Sequence, residues 1–392
     1  MSRRLRIAID ARPLQTGSRY QGIGTYTYHL IRGVVELEPD HDILVLAFGD
    51  APLDVECRRG RFERVGLRRP LRHYKGGKKQ ALTELQDSFL MPLDLLRARA
   101  DVYHNPFVLG TAWRYPCKSI VTVHDLITLI FPELYLGGGR WMRQVHAHAA
   151  RASHLITVSE SSKRDIVTLM GVAPERVTVT YEAADELFVS EHPEDAKRRV
   201  RERFGLKADR RFVLYTAGMT AADPRKNVKE FLAVFARLVA EGFDDVDLVI
   251  AGKKGPATPP IVEEAARLGL ASRVVFTDFV PAEDLPVLYH LAAAFIFPSR
   301  YEGFGLPVVE AMASGTPVVS SDRTSLPEVA GDAAVLLDPD DAEGWFTAVR
   351  RILTDAGYAD DLRRRGIARA ATFGWERLAR ETLAVYERVA GE

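Results

Sequence analysis

The stretch 293–321, "AAFIFPSRYEGFGLPVVEAMASGTPVVSS", joins two apolar segments through a glycine-containing loop and a helical pattern. The apolar run that ends at Ser299 predicts a strand, and the glycines that follow break any helix up to residue 306. Pro307 suits the first turn of a helix, because a first-turn amide has no partner to lose. The run 317–321 predicts the next strand. Continuously apolar strands around a helix are typical of a parallel sheet covered on both faces, so the stretch predicts an α/β fold.

The same alternation of strands and helices extends along the chain. Further strands are predicted at 6–10, 42–48, 101–105, 119–125, 154–159, 212–218, 247–252, 273–279 and 333–338. Helices are predicted near 22–37, 80–99, 139–152, 227–241, 259–268 and 282–291. The charged segment 184–211 has no strand pattern and indicates a boundary between two doubly wound, Rossmann-like domains. We therefore predict domains at 1–190 and 191–372, followed by an amphipathic helix at 373–392 that buries one face.

Composition limits the class of protein. The apolar share is 47%, and no run approaches the roughly 18 apolar residues of a membrane span. The first residues lack the apolar region and cleavage site of a signal peptide, so we expect a cytoplasmic protein. Two cysteines, Cys57 and Cys117, are too few for a disulfide framework or an all-cysteine metal site.

The charge is balanced overall but not along the chain. Lys plus Arg and Asp plus Glu both total 53, yet residues 1–190 carry a net +5 and the remainder −5. Segment 58–79 contains ten basic residues and one acidic residue, Glu63. It is either a solvated, mobile loop or a basic surface for an acidic acceptor or for anionic lipid, which would place the protein peripherally at the inner face of the plasma membrane. Nucleic acid is the least favoured partner, because the chain is neutral and carries no nucleic-acid-binding motif.

Glu302 and Glu310 flank the glycine loop of the opening stretch. On one continuous helix their spacing would turn them roughly 80° out of register, but the loop separates them. At the carboxyl edge of a parallel sheet, such a loop and helix N-terminus form a plausible cradle for phosphate or a polyol. The alternative is that Glu310 only stabilises the helix dipole and Glu302 is a solvated loop charge.

The segment 301–319, "YEGFGLPVVEAMASGTPVV", closely resembles the E-x7-E signature of glycosyltransferase family 4, the retaining GT-B enzymes. "PEVAGDAAVLLDPDD" (327–341) resembles the segment that follows the signature, and "DPRKN" (223–227) resembles the basic diphosphate element. "IAIDARPLQTG" (7–17) with "GIGTYTYHL" (22–30) resembles a branch that includes many mannosyltransferases. The resemblance implies two Rossmann-like domains facing across a cleft, with the C-terminal helix crossing back to the first domain.

The resemblance also implies roles in the second domain. Glu310 would bind the nucleotide ribose, Glu302 the donor sugar, and the backbone of the loop the sugar or phosphate. The loop residues concerned are Gly303, Phe304, Gly305 and Leu306. Lys226 and Arg225 would neutralise the leaving diphosphate, unless they are merely solvated charges at a helix start. Many relatives carry another arginine where this chain has Met219, so either Arg225 supplies the second charge or the site is weaker.

In the first domain, His124 matches the family's donor-sugar histidine, although a lone histidine is often structural. Asp125 would orient it or approach the acceptor. Gly22 and Gly24 resemble the loop that approaches the donor phosphate and acceptor, or they form only a tight turn. Ser159 matches a segment that lines the cleft, but capping of the next helix is the simpler interpretation.

The implied reaction proceeds at one face of the sugar, with the leaving phosphate accepting the acceptor's proton. We expect neither a metal nor a cofactor, because we see no metal-binding D-x-D element at a strand end and no histidines at ligand spacing. The co-substrate would be a nucleotide-diphosphate sugar, with GDP-mannose favoured by the N-terminal similarity and UDP- and dTDP-sugars open. The acceptor would be a saccharide, a lipid-linked molecule or a natural product. Alternatives are a GT-B phosphorylase, a nucleotide-sugar epimerase and a non-catalytic sugar-nucleotide-binding subunit.

Overall fold

The computed structural model describes residues 3–69, 78–134, 139–189, 191–219 and 223–392. Contacts divide the chain into two compact units. Unit 1 comprises Met1–Glu182 with Gly374–Glu392, and unit 2 comprises Ala183–Phe373. The first division therefore lies eight residues before the predicted boundary at residue 190, and the C-terminal segment belongs to unit 1.

Each unit contains one parallel sheet within the described residues. The strands of unit 1 are β1 Arg6–Asp10, β2 Asp42–Phe48, β3 Glu63–Leu67, β4 Val102–Asn105, β5 Lys118–Thr122, β6 His154–Thr157 and β7 Val177–Val179. Those of unit 2 are β8 Arg211–Thr216, β9 Val246–Ala251, β10 Val274–Asp278, β11 Ala294–Phe297, β12 Val318–Ser321 and β13 Val335–Leu337. The spatial orders are β3-β2-β1-β4-β5-β6-β7 and β10-β9-β8-β11-β12-β13.

Helices connect the strands and cover the sheets. Those of unit 1 are α1 Gly22–Glu36, α2 Lys78–Ala98, α3 Ile127–Ile130, α4 Arg140–Ala149 and α5 Glu160–Met170. Those of unit 2 are α6 Glu194–Phe204, α7 Val228–Ala240, α8 Thr258–Arg267, α9 Leu285–Leu291, α10 Leu306–Ala313, α11 Leu326–Ala330, α12 Ala342–Thr354 and α13 Ala356–Ala370. The chain ends with α14 Trp375–Gly391, which returns to unit 1. In the described ranges, no helix is long and apolar enough to span a bilayer.

The C-terminal helix α14 packs against α1 in unit 1. Gly33 permits the close approach, because a Cβ at this position would lie 2.7 Å from the Cβ of Ala379. Leu378, Ala379 and Tyr386 are completely buried. The predicted amphipathic helix thus buries its apolar face on the first Rossmann-like sheet, as the family resemblance implied.

The interpretation of 58–79 as one mobile loop is wrong for the part that the structure describes. Strand β3 lies within it and pairs in parallel with β2, and α2 begins at Lys78. The edge strand escaped detection because its side chains are mostly exposed and it lacks a continuous apolar run. Arg69 is buried against Asp87 and Asp94, so this charge is not available to a surface partner. Residues 70–77 lie outside the described residues.

Both sheets reverse their strand order at one point, between β1 and β4 in unit 1 and between β8 and β11 in unit 2. Open α/β sheets bind ligands outside the carboxyl ends of the strands at such a point. The loop after β11 carries Glu302, and the loop after β8 carries Lys226. The fold of unit 2 therefore brings together two residues that are 76 positions apart.

Candidate active site

Lys226 and Glu302 form an ion pair at the switch point of unit 2. Lys226 Nζ lies 2.6 Å from Glu302 Oε1, and the side chains are 24% and 14% exposed. The hydroxyl of Ser299 donates to the same carboxylate oxygen at 2.6 Å. Lys226 Nζ also lies 5.6 Å from the centre of the Phe297 ring, within range of a cation–π contact. The ammonium and the carboxylate are thus held in defined positions while both remain partly accessible.

The segment that carries Lys226 is a short 3-10 turn, Pro224–Lys226, followed by Asn227 in the left-handed conformation with φ 54°. The buried guanidinium of Arg225 donates to the carbonyl of Tyr301 at 2.9 Å and pairs with Asp223. This contact joins the loop of Lys226 to the loop of Glu302. In this geometry Arg225 supports the site, and its predicted contact with diphosphate stays a prediction.

The hydroxyl groups of Thr324 and Ser325 bind the backbone of the loop that carries Glu302. Thr324 Oγ1 accepts from the Glu302 amide at 3.0 Å, and Ser325 donates to the carbonyls of Glu302 and Phe304 at 3.0 and 2.8 Å. Thr324 has φ 53°, an outlier for a β-branched residue. Such strain persists where the surroundings fix the backbone, and it clusters at functional sites.

Gly305 is required where the loop enters α10. Its φ is 102°, and a Cβ there would lie 2.5 Å from Leu326 Cδ2. Pro307 occupies the first turn of α10, as predicted. The Phe304 side chain is buried and packs edge-on against Phe373, with ring centres 5.8 Å apart. The loop thus leads from Glu302 directly to the N-terminus of α10.

Glu310 belongs to a second hydrogen-bonded group at the same edge. The Tyr289 hydroxyl donates to Glu310 Oε2 at 3.0 Å and lies 3.0 Å from Thr216 Oγ1, at the end of β8. Burial raises the pKa of Tyr289 well above its usual value, and the charge of Glu310 adds to the effect, so the phenol stays protonated and donates. Sequence reasoning missed Tyr289, because a tyrosine on a helix between two strands carries no distinguishing pattern.

His124 lies at the carboxyl end of the unit 1 sheet, where both of its ring nitrogens face oxygen atoms. Nε2 is 3.0 Å from the carbonyl of Pro106, and Nδ1 is 3.5 Å from Glu182 Oε1. Tyr26 packs edge-on against the ring at a centroid distance of 4.7 Å. The carboxylate beside His124 is thus Glu182, whereas Asp125 Oδ1 accepts from the amide of Ile127. Glu182 went unnoticed in the sequence because it follows β7, far along the chain.

Gly22 and Gly24 lie in the first turn of α1, next to the short 3-10 helix Gly17–Tyr20. A Cβ on Gly24 would lie 2.5 Å from the carbonyl oxygens of Ser18 and Arg19, whereas Gly22 is exposed and has no atom within 4 Å of such a Cβ. Gly24 is thus needed for packing, whereas the predicted approach of Gly22 to a ligand stays a prediction. Ser159 is buried and caps α5 by accepting from the amide of Ser162 at 3.0 Å, so the capping interpretation is confirmed.

Titratable groups elsewhere in the chain form no metal site that the structure reveals. Over the described ranges, no three His, Cys, Asp or Glu side chains are arranged to hold an ion. The chemistry available at the edge of unit 2 is a cation, two carboxylates and a helix N-terminus. Such groups bind the hydroxyls and phosphates of a nucleotide sugar by charge and hydrogen bonds.

Comparison with known proteins agrees with this geometry. Residues 20–186 match the model of Glycosyltransferase Family 4, and residues 196–370 match Glycosyl transferases group 1. The chain is 32% identical over 292 residues to O-antigen chain mannosyltransferase B of Escherichia coli, covering 73% of this chain and 74% of that protein. It is 31% identical to MMP alpha-(1->4)-mannosyltransferase of Mycolicibacterium hassiacum, covering 94% of both.

The fold has close structural counterparts. Sucrose-phosphate synthase from Thermosynechococcus elongatus superposes with a TM-score of 0.77 at 20% identity, covering 98% of this chain and 99% of that one. This identity shows the fold alone, two Rossmann-like domains of the GT-B type. With family models matching both halves and a relative over 30% identical along nearly its whole length, the chain belongs to glycosyltransferase family 4.

Proposed function

We propose that the protein is a retaining mannosyltransferase that uses GDP-mannose and acts in the cytoplasm on a saccharide or lipid-linked acceptor. The observation that carries the proposal is the placement of Lys226, Glu302 and Glu310 at the switch point of one sheet. Mannose is favoured because both relatives described above are named as mannosyltransferases. A glucosyl or other hexosyl donor is the alternative that a donor screen distinguishes.

The donor would bind with its diphosphate near Lys226 and the N-terminus of α10. Both carry positive charge or partial charge, and charge develops on the diphosphate as the glycosidic bond breaks. Glu302 would accept hydrogen bonds from sugar hydroxyls, and Glu310, oriented by Tyr289, would accept them from the ribose. His124 would contact a sugar hydroxyl from unit 1.

The reaction would form the new bond on the face that the leaving group vacates. The acceptor oxygen bonds to the anomeric carbon as the bond to the nucleotide diphosphate breaks, and the acceptor's proton passes to a diphosphate oxygen. The anomeric configuration is retained, and no covalent enzyme intermediate forms. Lys226 would lower the barrier by neutralising the diphosphate, so the proposal includes no metal ion.

A donor screen tests this function directly. Purified protein is incubated with GDP-, UDP- and dTDP-sugars plus a mannan-type oligosaccharide, with and without EDTA, and nucleoside diphosphate release is measured. We expect turnover with GDP-mannose, no effect of EDTA, and an α-linked product in the NMR spectrum. Thermal stabilisation by a donor without turnover on any acceptor would favour a non-catalytic binding subunit. Sugar-phosphate formation from a glycan and inorganic phosphate would favour a phosphorylase.

A further inference from the structure

His124 and Glu182 form a buried pair at the carboxyl end of the unit 1 sheet. His124 follows β5, Glu182 follows β7, and their side chains are 13% and 6% exposed. Nδ1 of the imidazole lies 3.5 Å from Oε1 of the carboxylate. Burial of a carboxylate is costly unless the group is paired, so this contact has to offset that cost.

The hydrogen bonds of the imidazole fix where its protons lie. Nε2 of His124 is 3.0 Å from the carbonyl oxygen of Pro106. A carbonyl oxygen only accepts hydrogen bonds, so Nε2 carries a hydrogen. A neutral ring would then present the lone pair of Nδ1 to the carboxylate of Glu182, and two acceptors would face each other. One additional proton must therefore lie between Nδ1 and Oε1.

The chemistry of the two groups places this proton on the histidine. In water, imidazole is a stronger base than the glutamate carboxylate by about two orders of magnitude. Among the residues that the structure describes, His124 is the basic side chain that forms an ion pair with Glu182. A buried carboxylate without a cation is strongly destabilising, and an imidazolium supplies the positive charge. The pair as a whole then stays neutral.

The neighbouring titratable groups do not compete for the proton. Burial lowers the pKa of His104 to about 3, so that ring is neutral at neutral pH. Burial raises the pKa of Tyr26 above its usual value, with a smaller contribution from the charge of Glu182, so the phenol keeps its hydrogen. The carboxylate of Asp125 accepts from the amide two residues further along the chain. The proton therefore stays with His124 and Glu182.

The orientation of the imidazole is fixed by further contacts. Tyr26 of α1 packs edge-on against the ring of His124 at a centroid distance of 4.7 Å. The Tyr26 hydroxyl is itself held 3.0 Å from Thr122 Oγ1, which lies 2.8 Å from Nε2 of His104. Ser162 of α5 donates to the backbone carbonyl of His124 at 3.0 Å. Ring and backbone are thus both held, and the ring keeps one orientation.

This arrangement makes the imidazole of His124 a hydrogen-bond donor at both nitrogens. The hydrogen on Nε2 is engaged by Pro106. The 3.5 Å between Nδ1 and Glu182 exceeds the roughly 2.7–3.2 Å of an ordinary N–H···O hydrogen bond, so the contact is mainly ionic. The hydrogen on Nδ1 can therefore be shared with an oxygen atom of a bound molecule.

We propose that Glu182 is a positioning residue for His124, which keeps Nδ1 protonated and oriented to donate to an oxygen of the donor sugar. The contact with the sugar rests on the proposed function, because it requires a sugar donor. The proton that Glu182 holds on Nδ1 requires no ligand. Removal of the carboxylate charge should release this proton at neutral pH and leave a neutral ring with its hydrogen on Nε2.

Nitrogen NMR of the full chain tests the protonation directly. With 15N-labelled histidine, correlations from the carbon-bound ring hydrogens report whether each ring nitrogen carries a hydrogen, and His124→Asn identifies the signals. Near neutral pH we expect both nitrogens of His124 to be protonated in the unaltered protein and only Nε2 in Glu182→Gln. A neutral ring in the unaltered protein would overturn the proposal, and so would a protonated Nδ1 in Glu182→Gln.

Calorimetric titration with GDP-mannose and with GDP tests the positioning role. Glu182→Gln should weaken binding of GDP-mannose by about tenfold, because a charge-assisted hydrogen bond to the sugar is lost. Binding of GDP should be unchanged, because GDP has no hexose for His124 to contact. Glu182→Asp, which keeps the charge, should restore part of the affinity. Equal weakening of both ligands would reveal a general structural defect and refute the positioning role.

A matched control uses Glu175, an exposed carboxylate of the same unit. Glu175→Gln should leave the NMR signals of His124 and both titrations unchanged. If the unaltered protein bound neither GDP-mannose nor GDP, the proposed function would fail. The NMR measurement would then still decide whether Glu182 holds the proton on His124, so the two failures are distinguishable.

Discussion

At the scale of single residues, Lys226 is the group on which turnover should depend most. Its ammonium lies 2.6 Å from Glu302 and beside the Phe297 ring. Lys226→Ala should lower kcat by about 100-fold or more, because one preorganised positive charge near a leaving diphosphate is worth roughly 2.7–4 kcal/mol. Steady-state kinetics with the best donor measures this. Lys226→Arg, which keeps the charge, serves as the control, and an alanine variant with ordinary kcat would refute the assignment.

Glu310 should matter for donor affinity rather than for the chemical step. Glu310→Gln retains an oxygen that accepts from Tyr289 but loses the charge that strengthens hydrogen bonds from a ribose diol. We expect the donor Kd to rise about tenfold, equivalent to roughly 1.4 kcal/mol, with a smaller effect on kcat. Calorimetric titration with the donor and with the free nucleotide gives the answer. Tyr289→Phe is the matched control for the orienting role and should show a smaller loss.

Gly305 provides a separate test of how the glutamate loop is built. Gly305→Ala meets both an unfavourable φ and Leu326 Cδ2 at 2.5 Å, whereas Gly205→Ala, with φ 67° and nothing within 4 Å, meets only the unfavourable φ. We expect Gly205→Ala to cost about 1–2 kcal/mol of stability and Gly305→Ala about 2 kcal/mol more, with loss of donor binding. Urea unfolding measures both. Equal stability losses would mean that the loop relaxes around the added methyl group.

At the scale of elements, the attachment of α14 depends on a neutral histidine. His104 Nδ1 lies 2.6 Å from the Tyr386 hydroxyl and Nε2 2.8 Å from Thr122 Oγ1. Burial, with a smaller effect of His124, lowers the pKa of His104 to about 3. In the unfolded chain a histidine has a pKa of about 6.5, so the unfolded state binds the proton first as the pH falls.

Stability of unit 1 should therefore be constant above about pH 6.5 and fall between pH 6.5 and pH 3, by about 1.4 kcal/mol per pH unit for this group. Urea unfolding at several pH values, followed by hydrogen exchange in α14, measures the slope. His104→Gln should show a shallower pH dependence even if it is less stable at neutral pH. Burial also lowers the pKa of His146 and of His154 to about 4. These two histidines therefore account for part of the pH dependence that remains in His104→Gln. An unchanged slope in His104→Gln would contradict the role of this residue.

The elements also show where sequence reasoning succeeds and where it stops. Buried central strands such as β2 and β9 were predicted within a few residues, because continuous apolar runs in a parallel sheet leave a direct pattern. The edge strand β3 leaves no such pattern, since most of its side chains are exposed and polar or small residues interrupt its apolar ones. The same contrast holds for the candidate site. Glu302 and Glu310 lie in one recognisable motif and Lys226 in another, so the sequence identifies them. Glu182 and Tyr289 lie in no such motif, and only the contacts formed by the fold reveal them.

At the scale of the whole molecule, the chain completes its first unit with its last residues. Leu378, Val385, Tyr386 and Val389 of α14 are at most 4% exposed within unit 1. Burying such side chains contributes about 1.5–3 kcal/mol each, so the helix supplies an amount similar to the 5–15 kcal/mol stability of a typical domain. Unit 2, in contrast, is one continuous segment, 183–373, with its own sheet. The two units should therefore respond differently to loss of the C-terminus.

A chain that ends at Phe373 should retain a folded unit 2 and lose cooperative folding of unit 1. Hydrogen exchange should show protection over β8–β13 and little over β1–β7, because α1 and the sheet would expose the surface that α14 covers. In a shortened chain that also carries Trp113→Phe and Trp141→Phe, Trp345 of unit 2 is the remaining tryptophan, and its fluorescence should stay that of a buried side chain. Removing only Gly391 and Glu392 is the control and should change neither unit. Full protection of β1–β7 in the shortened chain would show that unit 1 folds without its last helix, and the stability assigned to α14 would then have to come from the packing of α1 and α2 on the sheet.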